Sequence, residues 1–472
     1  MSTHVLPPAL PHPSRASSRR AGSRPLFLSI PLEDLACAAL FAFFAMQGSI
    51  PGIAPPQALE MTAAAPTALT TIGGIASQAL ANAVIVLLLL RRPRLLLHQL
   101  SSPRLLPLGL LAVLAIASAA WSLDPLLTLR RSIPFALAGL FGLYLAARFP
   151  TPRLLAILRL SMMALALATI AVVLFAPSIG LDHSPGHAAD WQGVFTQKNA
   201  CGRIMVLASA AVLFAPPRAA RITAARIFSL ALFLFVLIMS GSRGAWLIEA
   251  ALLLLALVLH LARPAGPRVR TLLIAITPLA LLASVAIALA ALPRLASLIG
   301  RDPTLSGRTV IWTQVLHAIA QRPLAGYGYN AFWRGMAGPS FQIAASVHFI
   351  VEHAHNGFLE ILLELGLAGL ALFVLSWLLA MHGLLSPWLR GDLARIAWPL
   401  AVLVLTVLYD LDENTLLLYN GLFWPLYVAA VAACTPRDRH HNSASPSRAI
   451  LTPLPGPRLL RPRVASSAPE HP

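Results

Sequence analysis

The sequence predicts an all-α, polytopic integral membrane protein of about twelve transmembrane helices by the hydropathy count. Hydrophobic residues make up 58% of its 472 residues and charged residues only 11%, a composition that excludes an ordinary soluble domain. Apolar runs of the length needed for one bilayer crossing recur along the chain. Arginine residues concentrate in alternate connections between these runs, as the positive-inside bias requires of cytoplasmic loops.

The predicted spans follow one another with mostly short connections, and their even number places both chain ends on one side of the membrane. Their approximate limits are 32–50, 67–90, 105–121, 132–149, 154–176, 196–215, 222–240, 245–262, 271–293, 356–382, 393–411 and 416–434.

Charge sorting orients these spans. The basic connections follow the second, fourth, sixth, eighth and tenth spans, and both tails are basic as well. We therefore expect these connections and both termini to be cytoplasmic. The net charge of +18 does not indicate a nucleic-acid partner, because the arginines are not grouped on one soluble face.

The chain divides into a central membrane domain and two tails. Residues 1–30 and 435–472 are rich in Pro, Ser and Arg and are predicted to be disordered cytoplasmic tails. Residues 31–434 form the predicted transmembrane domain. It includes one long external, periplasmic loop at 294–354, in which helical spacing of apolar residues predicts an amphipathic helix near 306–321.

A dense polar cluster precedes the tenth predicted span and includes Glu352, His353, His355 and Asn356. Ionisable groups at a membrane boundary usually mark a site, and a neutral imidazole can deprotonate an acceptor hydroxyl. The simpler alternative is a pair of interfacial histidines with satisfied hydrogen bonds. A spacing of two residues predicts different helical faces for the two rings if the helix has started. No third ligand stands at zinc-like spacing, so no metal site is predicted.

Glu360 is the next candidate. Asn356, Glu360 and Glu364 recur every four residues and form one stripe on the predicted tenth helix. Glu360 can orient a histidine or stabilise an arginine. The alternative is a carboxylate that packs in the helix bundle against an arginine.

Several cations break the positive-inside pattern. Arg131 follows the third span, Arg243 lies in a tight glycine-flanked connection, Arg308 lies in the long loop, and Lys198 is the only lysine in the chain. External guanidinium groups suit a ligand with phosphate oxygens, such as a lipid-linked diphosphate. The alternative is that these side chains snorkel to lipid headgroups. The short turn around Arg243 favours ligand binding.

An ordered set of motifs carries a family resemblance. The chain resembles the bacterial O-antigen ligase and polymerase family (WaaL, Wzy and ExoQ type). Its motifs are most similar to those of the exopolysaccharide-polymerisation branch. The matching fragments cover about residues 120–425. They are Trp121-Ser122 to Arg130-Arg131, Gly193-Val194-Phe195 with Lys198-Asn199, Ser240 with Ser242-Arg243-Gly244, Ser306-Gly307-Arg308, Trp312, Pro323-Leu324 with Gly326-Tyr327-Gly328, His353 to Glu360, and Glu413 with Asn420.

The resemblance implies an inverting, metal-independent and cofactor-free glycosyltransferase of the bacterial inner membrane. The donor would be an undecaprenyl-diphosphate-linked oligosaccharide. The acceptor would be a glycan or a lipid such as lipid A-core. Other polysaccharide export components would be partners. The diphosphate would be bound by Arg243, Arg308, Arg131 and Lys198. The catalytic group would comprise His355, His353 and Glu360, supported by Asn199, Asn356 and Glu413. Gln197 stands where the family commonly has His, so no catalytic role is carried onto that position.

Two other function classes remain to be weighed. A transporter (flippase) of lipid-linked oligosaccharide would need charged residues along a path across the bilayer, whereas ionisable residues here concentrate at the outer ends of the spans, with Arg159 and Glu249 as the few candidates within them. A sensor or scaffold subunit would need a sizeable soluble domain. The sequence does not decide between a polymerase and a ligase, which share the donor and differ in the acceptor.

Overall fold

A computed structural model describes residues 31–49, 68–94, 99, 102–183, 189–216, 223–273, 276, 308–335, 337–347 and 350–434. Within these ranges the chain is helical and contains no β-strand beyond one isolated bridge. The helices are α1 Leu32–Ala45, α2 Ala68–Arg91, α3 Leu106–Ala117, α4 Pro125–Arg148, α5 Thr151–Phe175, α6 Lys198–Leu213, α7 Ala224–Met239, α8 Arg243–Ala262, α9 Arg308–Gln321, α10 Ser340–Val347, α11 Gly357–Arg390, α12 Leu393–Asp412 and α13 Phe423–Ala433.

The all-helical, multi-pass membrane architecture is confirmed. Each predicted span overlaps helical residues, although most of the ninth, at 271–293, lies outside the described residues. Within the described ranges, seven helical segments are long and apolar enough to cross a membrane, so the count of twelve stays a prediction. The tails at 1–30 and 435–472, and residues 294–307 of the long loop, also lie outside the described residues. The predicted loop helix near 306–321 coincides with α9.

Small residues allow the central helices to pack closely, as in other membrane proteins. A Cβ atom at Gly142 of α4 would lie 2.3 Å from the backbone oxygen of Pro425 in α13. Trp424 then stacks on Phe135 with ring centroids 4.3 Å apart. It also donates an indole hydrogen bond of 2.8 Å to the Phe135 carbonyl. This contact joins α4 to the last helix of the membrane domain.

The start of α4 differs from the predicted span, which begins at 132. Asp124 caps the helix by accepting a hydrogen bond of 3.0 Å from the Leu127 N–H, and Pro125 occupies the first turn, where its missing N–H costs nothing. The cap extends the helix backwards by two turns. Arg131 is therefore a buried helical residue and does not belong to an external connection.

A kink in α11 holds the long loop against the bundle. Gly366 has a φ of 64°, a value that glycine adopts without steric cost. The kink frees the Leu363 and Glu364 carbonyls, which accept hydrogen bonds from the N–H groups of Tyr327 and Gly328 at 2.9 and 3.0 Å. The segment that contains Tyr327 and Gly328 is therefore fixed on α11, directly beside the polar stripe of that helix.

Candidate functional site

The two histidines of the polar cluster meet a single carboxylate. The Nδ1 atom of His355 lies 3.2 Å from one oxygen of Glu413, and the Nε2 atom of His353 lies 3.6 Å from the same oxygen. The two imidazole centroids are 4.1 Å apart. Glu413 follows the last residue of α12 and is nearly inaccessible, with a side chain 4% exposed. The topology thus brings together residues that are 58 positions apart in sequence.

The condition under which the two histidines would occupy different helical faces, that the helix has already started, is not met. The helix begins only at Gly357, because the Asn356 side chain caps it by accepting a hydrogen bond from the Leu359 N–H. Both histidines therefore lie in the preceding loop. His355 has a φ of 49°, a left-handed conformation that is uncommon outside glycine and often found at functional sites. This conformation allows the two rings to face the same carboxylate.

His353 is held as a neutral imidazole. Its Nδ1 atom accepts a hydrogen bond of 3.1 Å from the backbone N–H of His355, which assigns the ring proton to Nε2, the atom that faces Glu413. Burial and the neighbouring His355 lower the pKa of His353 to about 3, with added contributions from the charges of Arg203 and Arg308. The ring therefore stays uncharged across the physiological pH range.

Glu413 is the centre of a polar network that we call the Glu413 cluster. Burial alone would raise the pKa of Glu413, but its hydrogen bond with His355 and the charge of Arg308 hold the pKa well below the ordinary value. The carboxylate contacts Arg308 at 3.3 Å and accepts a hydrogen bond of 3.1 Å from Asn199. The members of the cluster are Asn199, Arg308, His353, His355, Asp412 and Glu413.

The outer parts of the cluster fix its position between helices. Arg308, the first residue of α9, also contacts Asp412 at 2.7 Å. Asn199, near the start of α6, accepts a hydrogen bond of 3.1 Å from Ser242, the residue that precedes α8. Gly244 lies so close to Asp412 that a Cβ atom there would be 2.2 Å from its carboxylate. Four helix ends, those of α6, α8, α9 and α12, therefore converge on this carboxylate pair.

Glu360 fixes the loop that contains the two histidines. Its two oxygens accept hydrogen bonds from the Trp333 indole at 2.6 Å and from the Ala354 backbone N–H at 2.8 Å. Ala354 lies between the two histidines. Of the two roles considered for Glu360, positioning of the histidine segment agrees with these contacts, and no contact with an imidazole is formed. Its alternative partner, an arginine, forms no ion pair with it within the described residues.

The four cations predicted to bind a diphosphate lie in different surroundings. Arg308 is paired with carboxylates, and Lys198 contacts Asp190 at 2.6 Å. Arg131 donates two hydrogen bonds of 2.8 Å to the backbone and side-chain oxygens of Asn330. Arg243 is exposed at the start of α8 and forms no hydrogen bond or ion pair with the described residues. The structure thus places Arg308 on the carboxylate that both histidines face, whereas Arg131 lines a cavity together with His353.

A polar cavity of about 300 Å³ opens beside His353. It is reached by residues from α4, α6, α11, the segment that follows α12 and the long loop. Its chemistry-bearing lining comprises two guanidinium groups, one imidazole, three carboxyl groups and several amides. These are Arg131, Arg203, His353, Glu352, Glu360, Glu364, Gln47, Gln197, Asn330 and Asn414.

Arg203 is the residue that the sequence analysis missed. It lies in α6, within the predicted span 196–215, and is 6% exposed. Only Arg159 and Glu249 were considered as charged residues inside spans. The available signal was the rule that an ionisable residue inside a membrane span is a functional candidate. It applies to Arg203 as well, five residues after Lys198.

Comparison with known proteins agrees with this arrangement. The sequence model Wzy_C, described as O-Antigen ligase, matches residues 228–374, the segment that carries Arg243, Arg308, both histidines and Glu360. This segment is similar to the O-antigen ligase family. The predicted resemblance to the O-antigen ligase and polymerase family is thereby confirmed.

The chain is also similar to two curated relatives over short alignments. The chain is 37% identical to "Exopolysaccharide production protein ExoQ" of Rhizobium meliloti (strain 1021) over 99 residues, which cover 20% of this chain and 22% of that protein. It is 37% identical to "Putative polysaccharide ligase RP358" of Rickettsia prowazekii (strain Madrid E) over 76 residues, which cover 16% of this chain and 19% of that protein. The alignments thus span about a fifth of each relative's length.

The geometry of the Glu413 cluster also bears on the prediction that no metal is held. One ligand atom from each of His353, His355 and Glu413 lies within 4.8 Å of the others, so Glu413 supplies in space the third ligand that sequence spacing did not reveal. Imidazole and carboxylate groups are ordinary ligands for divalent transition metals. However, Arg308 already contacts the second Glu413 oxygen, and a guanidinium there opposes a divalent cation.

Proposed function

We propose that this protein is a membrane glycosyltransferase that uses an undecaprenyl-diphosphate-linked oligosaccharide at the outer face of the bacterial inner membrane. It joins the glycan to an acceptor, either another repeat unit in the polymerisation of exopolysaccharide or O-antigen, or a lipid such as lipid A-core in ligation. The two relatives carry names that fit one reaction each, a polysaccharide production protein and a polysaccharide ligase. The two reactions differ in the acceptor, so an experiment must identify which acceptor is used.

The observation that carries the proposal is the contact between His355 Nδ1 and Glu413. A carboxylate at Nδ1 fixes the ring proton on that atom and leaves Nε2 as the basic nitrogen. The carboxylate also stabilises the imidazolium that forms when Nε2 accepts a proton. His355 is therefore proposed as the general base, and His353 as the neutral neighbour that positions it through the His355 N–H.

In the proposed step, His355 Nε2 accepts the proton of an acceptor hydroxyl as the hydroxyl oxygen attacks the anomeric carbon of the donor sugar. The bond between that carbon and the diphosphate oxygen breaks, and the electron pair leaves with the undecaprenyl diphosphate. A single displacement of this kind inverts the anomeric configuration. A properly placed general base contributes about 10²- to 10⁴-fold to such a step.

Guanidinium groups supply the positive charge that the leaving diphosphate needs, so the reaction is proposed to be independent of metal ions and cofactors. Arg243 has no partner among the described residues, which leaves its donors available for phosphate oxygens. Arg308 and Arg131 are bonded to protein groups, as is Lys198. Their proposed role is therefore to add positive potential around the diphosphate rather than to bind it alone.

Charge sorting supports the proposed orientation. The helix α12 begins near Arg390 and Arg395 and ends at Asp412 and Glu413. Because basic connections favour the cytoplasmic side, the Glu413 cluster and the long loop at 294–354 are proposed to be periplasmic, and both tails cytoplasmic. Residues 31–434 are proposed to form the complete O-antigen ligase and polymerase-like membrane domain, and other polysaccharide export components to be partners.

The test is an assay of purified protein in liposomes with an undecaprenyl-diphosphate oligosaccharide, with and without a lipid A-core acceptor, in the presence of EDTA. We compare the wild type with His355→Ala and with the matched control His317→Ala, because His317 is an exposed histidine on α9. We expect longer or transferred products from the wild type and the control. The rate should fall about 10²- to 10⁴-fold in His355→Ala.

Three outcomes would contradict parts of the proposal. Full activity of His355→Ala would remove this imidazole from the base role. Loss of wild-type activity in EDTA, with recovery on adding a divalent cation, would instead support metal binding by the two histidines and Glu413. An intact donor that crosses the liposome membrane without new product would support the transporter alternative.

A further inference from the structure

Arg203 is a buried cation that no carboxylate contacts directly among the described residues. Its guanidinium donates one hydrogen bond of 3.3 Å to the Asn414 carbonyl, and among the described residues no carboxylate forms an ion pair with it. The side chain is 6% exposed and lines the cavity beside His353. An uncompensated buried charge costs several kcal/mol, so a residue of this kind is expected where a ligand supplies the missing negative charge.

A second observation in the same cavity also indicates a ligand. One carboxyl oxygen of Glu364 is buried, lines the cavity and has no hydrogen-bond partner. Buried polar atoms are normally satisfied, and an exception calls for a bound group. Glu364 offers an acceptor for a hydroxyl group, whereas Arg203 offers donors for an anion. The cavity therefore fits a ligand that carries both hydroxyl groups and negatively charged oxygens.

We propose that Arg203 binds an anionic oxygen group of the glycan substrate inside this cavity, while Glu364 accepts a hydrogen bond from one of its hydroxyls. The identity of the ligand as a glycan rests on the proposed function, whereas the anion site itself does not. Two parts of such a substrate supply this chemistry, namely the diphosphate of the lipid-linked donor and a carboxylate on an acidic sugar. Either one would lie next to His353, close to the proposed base.

The chain offers a matched control for Arg203. Arg159 of α5 is also a partly buried arginine within a predicted span, but it donates hydrogen bonds to Ser229 at 2.9 Å and to Met163 at 3.5 Å. It is not part of the cavity lining. Replacing it removes the same charge from the membrane domain without changing the cavity. The comparison separates a specific anion site from a general loss of positive potential.

The experiment measures equilibrium binding of two probes to purified full-length protein in detergent, an isoprenyl diphosphate and a glucuronate-containing oligosaccharide. The variants are Arg203→Gln, Arg203→Lys and Arg159→Gln, and thermal unfolding checks that each variant is folded. We expect Arg203→Gln to weaken binding of at least one probe about 10- to 100-fold, the effect of losing one charge-assisted hydrogen bond. Arg203→Lys should lose less, and Arg159→Gln should bind like the wild type.

The pattern of loss identifies the anion. A loss confined to the isoprenyl diphosphate assigns Arg203 to the donor's diphosphate, and a loss confined to the oligosaccharide assigns it to a sugar carboxylate. The inference is overturned if the wild type binds neither probe, if Arg203→Gln binds both normally, or if Arg159→Gln is weakened equally. Normal binding by Arg203→Gln together with product formation would leave the glycosyltransferase proposal intact. Loss of anion binding in Arg203→Gln, combined with no product from the wild type, would support the anion site and contradict the glycosyltransferase proposal.

Discussion

The Glu413 cluster and the cavity beside it balance their charges in opposite ways. In the cluster, Arg308 contacts two carboxylates and Glu413 accepts hydrogen bonds from three directions. In the cavity, Arg203 bonds only to a backbone carbonyl, and a Glu364 oxygen has no partner. The two regions share His353, which lines the cavity and faces Glu413.

This difference separates groups that hold the site together from groups that are available to a ligand. A cation whose charge is neutralised by protein carboxylates contributes mainly to structure, because binding an anion would require it to give up those contacts. A cation without such contacts gains its partner on binding. By the same reasoning, Arg243 is available to a ligand, as Arg203 is, whereas Arg308 contributes mainly to structure.

The largest expected effect compares two arginines at the outer end of the site. We expect Arg308→Ala to lower the free energy of unfolding by about 3 kcal/mol, because the buried Glu413 carboxylate loses a cationic partner. Arg243→Ala should change it by less than about 0.5 kcal/mol, since the exposed side chain has no contact to lose. Unfolding in detergent measures both values, and insertion of Arg243→Ala should be normal although its transfer activity is lost.

Arg308→Lys is the control for this comparison, because it keeps the charge but not the two-pronged geometry. It should retain more stability than Arg308→Ala. Equal stability losses in Arg308→Ala and Arg243→Ala would contradict the distinction between scaffold and ligand-binding cations. Normal product from Arg243→Ala would remove that residue from the site.

The second expected effect is a pH dependence of stability caused by His353. Its pKa is lowered from 6.5 to about 3 in the folded protein, so the unfolded chain binds the proton more tightly. Stability is complete above pH 6.5 and falls as the pH decreases toward 3. Between pH 6.5 and 5 this residue should lower the free energy of unfolding by about 2 kcal/mol.

His353→Gln removes the titrating group and should flatten the curve in this window. Thermal unfolding of both proteins at pH 6.5, 5.8 and 5 provides the measurement. The lowered pKa of Glu413 also contributes to the free energy of unfolding. This contribution is lost only as the pH falls below the ordinary glutamate value of 4.5. A wild type that is equally stable at pH 6.5 and 5 would contradict the neutral, partly buried state of His353.

The sequence predicted the features that are local. The spacing of Ile311, Val315 and Ile319 predicted helix α9, and the run from His353 to Glu360 indicated the candidate site. These inferences depend on neighbours within one or two turns, which sequence patterns record directly. The family resemblance, carried by short motifs, was confirmed in the same way by a match over 228–374.

The partners in the site could not be predicted because they come from distant segments. No local pattern joins His355 to Glu413, or Arg203 to His353, and their proximity results from the packing of α6, α11 and α12. The boundary error at Arg131 has a different cause. Hydropathy alone starts the span at 132, whereas the Asp124 cap and Pro125 start the helix earlier. Cap chemistry was available in the sequence and would have corrected this boundary.

The smallest expected effect concerns Asn356, which was predicted to support the site. Its side chain accepts a hydrogen bond of 3.0 Å from the Leu359 N–H and donates one of 3.4 Å to the Leu411 carbonyl. The first contact caps α11, so the helix begins after the two histidines. Asn356→Ala should therefore lower the free energy of unfolding by about 1 kcal/mol, whereas Asn356→Asp, which keeps the acceptor, should lose less. If Asn356→Asp is destabilised as much as Asn356→Ala, the contact to α12 rather than the cap positions the histidine loop.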